Sequence, residues 1–208
     1  MPVRGFSQMP ITNVYAFDFD GTLTTHDTLL AFIRYAKGTK AFVGGFLRHA
    51  HLLVLMKLHL YPNWKAKQRI FSYYFRGMTE ETFNALCRSF AADSRHLLRL
   101  KGVETMRQAA AEGAEIVVIS ASIDNWVRPF FEGDDRLPPV TVVGTQIEIQ
   151  DGRLTGRFLT RNCYGQEKVE RLLALYPHRE TYHLTAYGDS RGDRELLAFA
   201  DQGFLRSF

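Results

Sequence analysis

The chain has 208 residues, 46% of them hydrophobic, and its 26 Lys and Arg against 22 Asp and Glu give a net charge of +4. This length and composition predict one domain, or one domain with a modest insertion, large enough to bury a proper core. A conspicuous apolar stretch at residues 41–61 is excluded as a transmembrane helix, because its longest uninterrupted apolar run covers only residues 52–56.

The first residues and the cysteines bear on the compartment. Residues 1–10 lack the apolar segment of a signal peptide. The spacing of Cys87 and Cys163 is not that of metal ligands. Free thiols in a reducing compartment are the favoured interpretation, and one disulfide between the two cysteines is the alternative. We therefore expect a cytoplasmic protein, with a peripheral position at the inner face of a membrane as the alternative.

The charge is distributed unevenly along the chain. Residues 28–101 hold 13 Lys or Arg against 3 Asp or Glu, the remainder holds 13 against 19, and residues 28–79 contain no acid at all. Such asymmetry indicates separate modules, of which the basic one meets an anionic partner. A phosphorylated substrate or an anionic membrane surface would fit. Nucleic acid is not expected, because no nucleic-acid-binding signature accompanies the charge.

After a short lead-in over residues 1–13, the first predicted strand is an apolar run that ends near Asp18. Asp18 and Asp20 are two residues apart and would share a face, and Gly21 allows an immediate turn that lifts both carboxylates to the strand's carboxyl end. Ligands bind at that edge of open α/β sheets. Two acids this close repel each other unless a cation or proton lies between them, which favours a metal site with one nucleophilic carboxylate over two solvated acids.

Helical patterns follow, at about residues 29–37, 40–60, 64–76, 80–92 and 93–100. Asp27 or Thr28 could be the N-cap of the first helix. If residues 41–61 form one helix, basic side chains gather on one third of its circumference and apolar ones lie mostly opposite, with Lys57 as an exception. That helix would either lie on an anionic membrane or, the favoured alternative, pack its apolar side on neighbouring helices. The basic third consists of Lys40, Arg48, His51 and His59, and the apolar set of Phe42, Phe46, Leu47, Ala50, Leu53 and Val54.

From Gly102 onward, strands and helices alternate. A helix is predicted at residues 103–112, strands at 115–119, 140–143 and 182–187, and a short last strand at 204–208. Residues 146–149 and 154–158 should form a hairpin around an Asp-Gly turn. Ser122 or Asp124 could cap the helix that follows the strand at 115–119, and Asp193 could cap a helix at 194–200. Alternating strands and helices predict a doubly wound, mainly parallel α/β sheet.

Four segments in this order carry a resemblance to a known family. They are residues 18–23 (Asp-Phe-Asp-Gly-Thr-Leu), the strand that ends at Ser120, residues 161–168 around Lys168, and residues 188–193 (Gly-Asp-Ser-Arg-Gly-Asp). Together they resemble the motifs of the haloacid dehalogenase superfamily of phosphohydrolases. Residues 161–168 are similar to its phosphoserine-phosphatase-like branch, including phosphatidylglycerophosphatase members. The resemblance implies a Rossmann-like core (residues 1–27 and 101–208), a helical cap of the first class (residues 28–100) and a strand ending at Asp18 in the middle of the sheet.

The resemblance also implies roles for individual residues. Asp18 would be the nucleophile that forms an aspartyl-phosphate, and Asp20 the general acid and base. Asp189 would bind Mg²⁺ with Asp18 and the Asp20 carbonyl, and Asp193 would hold a bound water or orient Lys168. The phosphoryl oxygens would be held by Ser120, Ser122, Lys168 and the backbone N–H groups at Gly21 and Thr22.

The substrate follows less directly from the resemblance. In phosphoserine phosphatases an acid near Asp27 faces the substrate, so Asp27 is open to substrate contact as well as to helix capping. Those enzymes also carry a cap arginine in a Phe-x-x-(Ser/Ala)-Leu-x-x-Arg segment, which this chain lacks. The acid-free basic cap suits a more anionic or lipid-like phosphate, with phosphatidylglycerophosphate as the named alternative to a small phosphomonoester. A non-catalytic binding module is disfavoured by the complete set of acids and Lys168.

Overall fold

A computed structural model describes residues 11–58 and 60–208 of the chain, apart from the side chains of residues 53 and 57. The lead-in predicted for residues 1–10, the position of His59, and the predicted faces of Leu53 and Lys57 lie outside what is described. No helix among the described residues is both long and apolar enough to cross a membrane.

The core is a five-stranded sheet of order β3-β2-β1-β6-β7, in which every neighbouring pair is parallel. β1 is therefore central and flanked by β2 and β6, as predicted. A separate antiparallel hairpin, β4–β5, confirms the predicted Asp-Gly turn, with Asp151 and Gly152 both at positive φ. The strands are β1 (Thr12–Phe17), β2 (Glu115–Ile123), β3 (Thr141–Thr145), β4 (Ile147–Gln150), β5 (Arg153–Phe158), β6 (Tyr182–Gly188) and β7 (Gln202–Leu205).

Strand alternation explains how the sheet is buried on both faces. Val14 and Ala16 of β1 belong to one apolar cluster, together with Ile119 of β2, whereas Phe17 and Val118 belong to the cluster on the other face. All five side chains are fully buried. A strand that is buried on both faces has a continuous apolar sequence, which is why β1 and β2 could be predicted from the sequence.

Most helices agree with the predicted ones. They are α1 (Thr28–Arg48), α2 (Ala50–Lys57), α3 (Asn63–Phe75), α4 (Glu80–Asp93), α5 (Leu100–Ala111), α6 (Asp124–Val127), α7 (Gln166–Leu175) and α8 (Arg194–Phe199). The predicted helix at 93–100 is wrong, the helix after it begins at Leu100 rather than at residue 103, and the last strand begins two residues before the predicted one.

The segment between α4 and α5 is not helical because its backbone pairs with another part of the chain. One tight turn, Arg95–Leu97, is followed by an extended stretch in which the N–H of Arg99 donates to Leu23 O (2.8 Å). The N–H of Thr25 donates to Leu97 O (2.9 Å). These tertiary hydrogen bonds replace the helical ones that the local pattern favoured.

The single helix predicted over residues 40–60 is also wrong. α1 turns sharply at Gly38 (φ +77°) and ends at His49, whose φ of −103° and ψ of 10° separate α1 from α2. The predicted helical wheel therefore does not apply across the break. Phe42 and Phe46 do pack against the core, but Leu47 and Val54, which were grouped with them, are exposed.

An aromatic cluster joins the inserted helices to the sheet side of the molecule. The ring of Phe32 in α1 lies 5.3 Å from the rings of Phe75 and Phe90 and 5.0 Å from that of Trp126 in α6. All four side chains are buried in one continuous core cluster. The position of the inserted helices over the sheet therefore depends on packing around Phe32.

We predict that Phe32→Ala lowers the free energy of unfolding by about 3–5 kcal/mol, because it removes a buried ring that its neighbours cannot replace. Urea unfolding followed by circular dichroism measures this change. Leu100→Ala, at a side chain that is 85% exposed, is the control and should stay within about 0.5 kcal/mol of the original chain. Equal effects of the two substitutions would contradict the packing role.

Candidate active site

Acidic and hydroxyl residues meet where β1, β2 and β6 end at the same edge of the sheet. Asp18 directly follows β1, and its N–H extends the ladder by donating to Tyr187 O of β6 (2.9 Å). The chain then turns at once, with Gly21 at φ +81°. A Cβ on Gly21 would lie 2.5 Å from Asp189 Oδ2. Gly21 therefore serves both the turn and the close approach of the carboxylate that follows β6.

A buried lysine links two of these acids. Lys168 lies in the first turn of α7, and its side chain is almost completely buried. Its Nζ lies 2.5 Å from Asp18 Oδ1 and 2.6 Å from Asp193 Oδ1. Because a buried ammonium needs compensating charge, this double ion pair fixes α7 against the end of β1.

Asp193 is held by the loop that leads into α8. Its Oδ2 accepts hydrogen bonds from the N–H of Asp189 (3.2 Å), the N–H of Ser190 (3.0 Å) and the Ser190 hydroxyl (2.9 Å). Its other oxygen is the one that contacts Lys168. Of the three roles predicted for Asp193, this geometry fits the orientation of Lys168. Asp193 does precede α8 directly, but its side chain makes no capping hydrogen bond to that helix.

Burial and crowding shift the ionisation of the cluster. Burial raises the pKa of Asp18 to about 7, and Asp193 and Asp20 add to the shift while Lys168 opposes it. Burial, together with Asp193, also raises the pKa of Asp189. Burial disfavours the Lys168 ammonium, but Asp18 and Asp193 outweigh it and raise the pKa of Lys168 above its ordinary value. The charged lysine alone does not balance the acids.

The cluster can hold a divalent cation. Asp18, Asp189 and Asp193 each offer a carboxylate oxygen, and these three atoms lie within 4.8 Å of one another. Both oxygens of Asp193 are already hydrogen bonded, whereas the carboxylate of Asp189 has no side-chain partner among the described residues. Asp18 and Asp189 are therefore the better candidate ligands. Such hard oxygen donors fit Mg²⁺.

The carboxylate of Asp20 is bound by hydroxyl and amide donors. Its Oδ1 accepts from the N–H (2.7 Å) and the hydroxyl (2.5 Å) of Thr28, the first residue of α1. Its Oδ2 accepts from the Ser122 hydroxyl (2.5 Å). The Thr28 hydroxyl in turn accepts from Trp126 Nε1 (3.1 Å). Ser122 thus contacts Asp20 and does not cap a helix, since α6 begins at Asp124 without a side-chain cap.

Three further predicted residues have defined positions in the structure. The hydroxyl of Thr22 donates to Asp18 Oδ2 (3.2 Å). Ser120 is fully buried within β2, which continues to Ile123 and not only to the predicted end at residue 119, and its Oγ accepts from the N–H of Ser122 (3.0 Å). Asp27 caps α1 by accepting from the N–H groups of Leu29 and Leu30. Asp27 also lines the cleft, so its second predicted role, contact with the substrate, stays a prediction.

A cleft of about 460 Å³ opens above Asp18, and part of its lining was not predicted. Sequence reasoning missed Met56 of α2, Asn63 and Lys67 of α3, and Tyr164 before α7, all of which line it. The available signal was the spacing of Asn63 and Lys67, which are four residues apart and share one helix face. Nothing in the local pattern indicated which face of α3 would meet the cleft.

Residues 15–198 match the haloacid dehalogenase-like hydrolase family. The chain belongs to this family. The match extends from β1 into α8 and contains all four predicted motifs, so the predicted superfamily is confirmed. Protein CicA of Caulobacter vibrioides is 35% identical over 195 residues, which are 93% of this chain and 85% of that protein.

Solved structures confirm the predicted fold. A Bordetella pertussis Tohama I protein of unknown function aligns with a TM-score of 0.77 and 19% identity, covering 90% of this chain and 86% of that one. A substrate-bound phosphoserine phosphatase aligns with a TM-score of 0.59 and 18% identity, covering 95% of this chain and 86% of that one. At these identities the likeness shows a shared α/β architecture, including that of the phosphoserine-phosphatase-like branch.

We predict that MgCl₂ raises the melting temperature of the original chain and that Gly21→Ala abolishes this rise, because the new Cβ would displace Asp189. Gly38→Ala is the matched control, since Gly38 has a similar φ of +77° but open space around it. Both variants also carry a backbone cost of about 1–3 kcal/mol, and the control is the harsher of the two because the ψ of Gly38, 162°, lies in a region that only glycine adopts readily. Loss of the magnesium response in both, or in neither, would contradict this account of Asp189.

Proposed function

We propose that this chain is a cytoplasmic, Mg²⁺-dependent phosphomonoester hydrolase that works through an aspartyl-phosphate on Asp18. The observation that carries the proposal is the buried Asp18 carboxylate, paired with Lys168 and adjacent to Asp189 at the edge of the sheet. Two buried, unpaired cysteines support a reducing compartment.

In the first step, a carboxylate oxygen of Asp18 attacks phosphorus and the bond to the leaving oxygen breaks. Lys168 contacts Asp18 Oδ1, which leaves Oδ2 as the attacking atom; its one hydrogen bond with a described residue comes from the Thr22 hydroxyl. The Lys168 ammonium lies where negative charge gathers on the phosphoryl oxygens. Ser120, with the N–H groups at Gly21 and Thr22, completes the proposed set of donors to those oxygens.

Asp20 supplies the proton chemistry. Its carboxylic acid gives a proton to the leaving oxygen, and the resulting carboxylate then takes one from the water that attacks the aspartyl-phosphate and releases phosphate. The hydroxyls of Thr28 and Ser122 hold the Asp20 carboxyl group at the cleft.

Mg²⁺, held by Asp18, Asp189 and the carbonyl of Asp20, would supply positive charge that offsets repulsion between the acids and the phosphoryl group. Asp193 acts through Lys168: it orients the ammonium toward Asp18. The proposed ligands are supported by the proximity of the carboxylates and by the unpartnered side chain of Asp189.

We further propose that residues 28–100 act as a cap over a core made of residues 1–27 and 101–208. The support is that Met56, Asn63 and Lys67, all from the inserted helices, line the same cleft as Asp18. A cap over the site would exclude water during phosphoryl transfer and select the leaving group of the substrate.

The proposed substrate is a small or lipid-linked phosphomonoester. Phosphoserine is less favoured, because the cap arginine segment of phosphoserine phosphatases is absent, and Lys67 is instead the cap cation in the cleft. A phosphatidylglycerophosphatase-like activity is the second candidate, favoured by residues 28–79, which contain no acid. A non-catalytic binding module would not need Asp18, Asp20, Lys168 and Asp189 together.

We predict that Asp18→Asn lowers the rate of phosphate release from an aryl phosphate by at least about 1,000-fold, because the amide cannot form the covalent intermediate. Asp151→Asn is the control: it makes the same chemical change in the exposed hairpin turn, at a positive φ that Asn tolerates. Near-original activity of Asp18→Asn on any accepted substrate would refute the mechanism.

We predict that Lys67→Gln raises KM for phosphomonoesters by about 10-fold, because it removes the cap's positive charge from the cleft. Lys65→Gln is the matched control, since Lys65 is two residues away on α3, exposed, and outside the cleft. Steady-state kinetics with a soluble phosphomonoester measure both variants. The same change in KM for both would mean that Lys67 acts only through the general charge of the cap.

A further inference from the structure

Exposed apolar side chains are concentrated at the outer end of the inserted helices. Of the 17 large apolar side chains that are exposed among the described residues, seven fall within residues 43–64. Leu47 and Leu60 are each 71% exposed. A large exposed apolar patch marks an interaction site. We call this set of seven residues the cap tip: Val43, Leu47, Val54, Leu55, Leu58, Leu60 and Trp64.

The cap tip is packed only shallowly against the rest of the protein. Among the described side chains between Arg34 and Lys65, no apolar one is fully buried, although Phe42 and Phe46 contact the core. In α2, the exposed Val54, Leu55 and Leu58 fall within an arc of about 100°, given 3.6 residues per turn. Their apolar contacts are therefore available to something outside the chain.

The opposite side of α2 faces the cleft. Met56 lies on that side and lines the cleft together with Asp18 and Asp20. One short helix thus forms part of the wall of the candidate active site and also part of the cap tip. Whatever binds the cap tip lies within one helix diameter, about 10 Å, of the cleft.

The segment that carries the cap tip has charge of a single sign, although Glu167 and Glu170 line a pocket beside Trp64. Residues 28–79 contain nine Lys or Arg and no Asp or Glu. Lys40, Arg48, Lys65 and Arg69 are exposed, and none of the four forms a salt bridge with another described residue. Exposed leucines beside cations that form no salt bridge are complementary to an anionic lipid bilayer, which has negatively charged headgroups at its surface and apolar acyl chains beneath them.

We propose that the cap tip docks on an anionic lipid bilayer as a peripheral contact. Lysine and arginine would meet the lipid headgroups, and the leucines of the α1–α2 and α2–α3 corners would enter the boundary between headgroups and acyl chains. A protein partner would need complementary acids at every cation, whereas an anionic bilayer supplies them at any position. Docking itself does not depend on catalysis. Its consequence, delivery of a membrane-borne phosphomonoester to the cleft beside α2, rests on the proposed function.

Flotation of the full chain with lipid vesicles tests the docking. The chain should float with phosphatidylcholine vesicles that contain about 30% phosphatidylglycerol, should stay behind with pure phosphatidylcholine, and should be released between about 0.05 M and 0.5 M salt. Flotation is preferred to pelleting because aggregated protein does not rise with vesicles. Asp18→Asn should float like the original chain, so a failure of the proposed catalysis is seen separately.

Two pairs of variants identify the surface. Leu47→Ser/Leu58→Ser/Leu60→Ser should reduce the floated fraction at least about five-fold, whereas Leu100→Ser/Leu159→Ser/Leu175→Ser, at exposed leucines outside the cap tip, should not. Lys40→Gln/Arg48→Gln should reduce it more than Arg88→Gln/Arg107→Gln. Hydrolysis of a soluble aryl phosphate by the first variant should be unchanged, which confirms that it folds.

Three results would overturn the proposal. The first is no flotation with anionic vesicles at any salt concentration. The second is equal loss in the cap-tip variants and their controls, which would mean that binding follows general charge. The third is that the leucine variant changes the oligomeric state in sedimentation while floating normally, which would assign the cap tip to a second copy of this chain.

Discussion

The Lys168 ammonium, bridging Asp18 and Asp193, is the interaction on which the candidate site depends. Three separate elements meet there: the end of β1, the first turn of α7 and the loop before α8. Each charge is buried, so removing one partner would leave another uncompensated, at a cost of about 3–5 kcal/mol. The same contact that fixes these elements also sets the position and ionisation of the carboxylate that we propose as the nucleophile.

A second constraint is the excess of negative charge. Asp18, Asp189 and Asp193 lie together with one lysine, so two negative charges are left over when all are ionised. Burial is the main cause of the raised pKa values of Asp18 and Asp189, and repulsion from neighbouring acids adds to it. A divalent cation would offset both surplus charges, whereas one proton would offset only one, so the site suits a metal. Asp20 lies outside this cluster and is tied through Thr28 to Trp126, which couples it to the start of the inserted helices.

Much of this arrangement was predictable, and what was missed has a common physical cause. Continuous apolar runs in the sequence predicted β1 and β2. Asp18 directly follows β1 and Asp189 directly follows β6. Because parallel strands end at one edge of the sheet, these two acids were expected to lie close together. The failures lie where tertiary contacts override local pattern. Backbone pairing with residues 23–25 replaced the helix expected at 93–100, and a break at His49 divided another. Lys67 was missed because local periodicity does not say which face of α3 meets the cleft.

The central claim is that the phosphoryl group of the substrate is transferred to Asp18. Trapping the resulting aspartyl-phosphate tests this claim most directly. The chain would be mixed with Mg²⁺ and a phosphomonoester, quenched in acid within milliseconds, reduced with borohydride and digested for mass spectrometry. The account predicts that the peptide containing residues 18–23 carries homoserine in place of Asp18, since borohydride reduces an acyl phosphate to an alcohol. Phosphate release with no modified Asp18, or with the modification on another carboxylate, would contradict it.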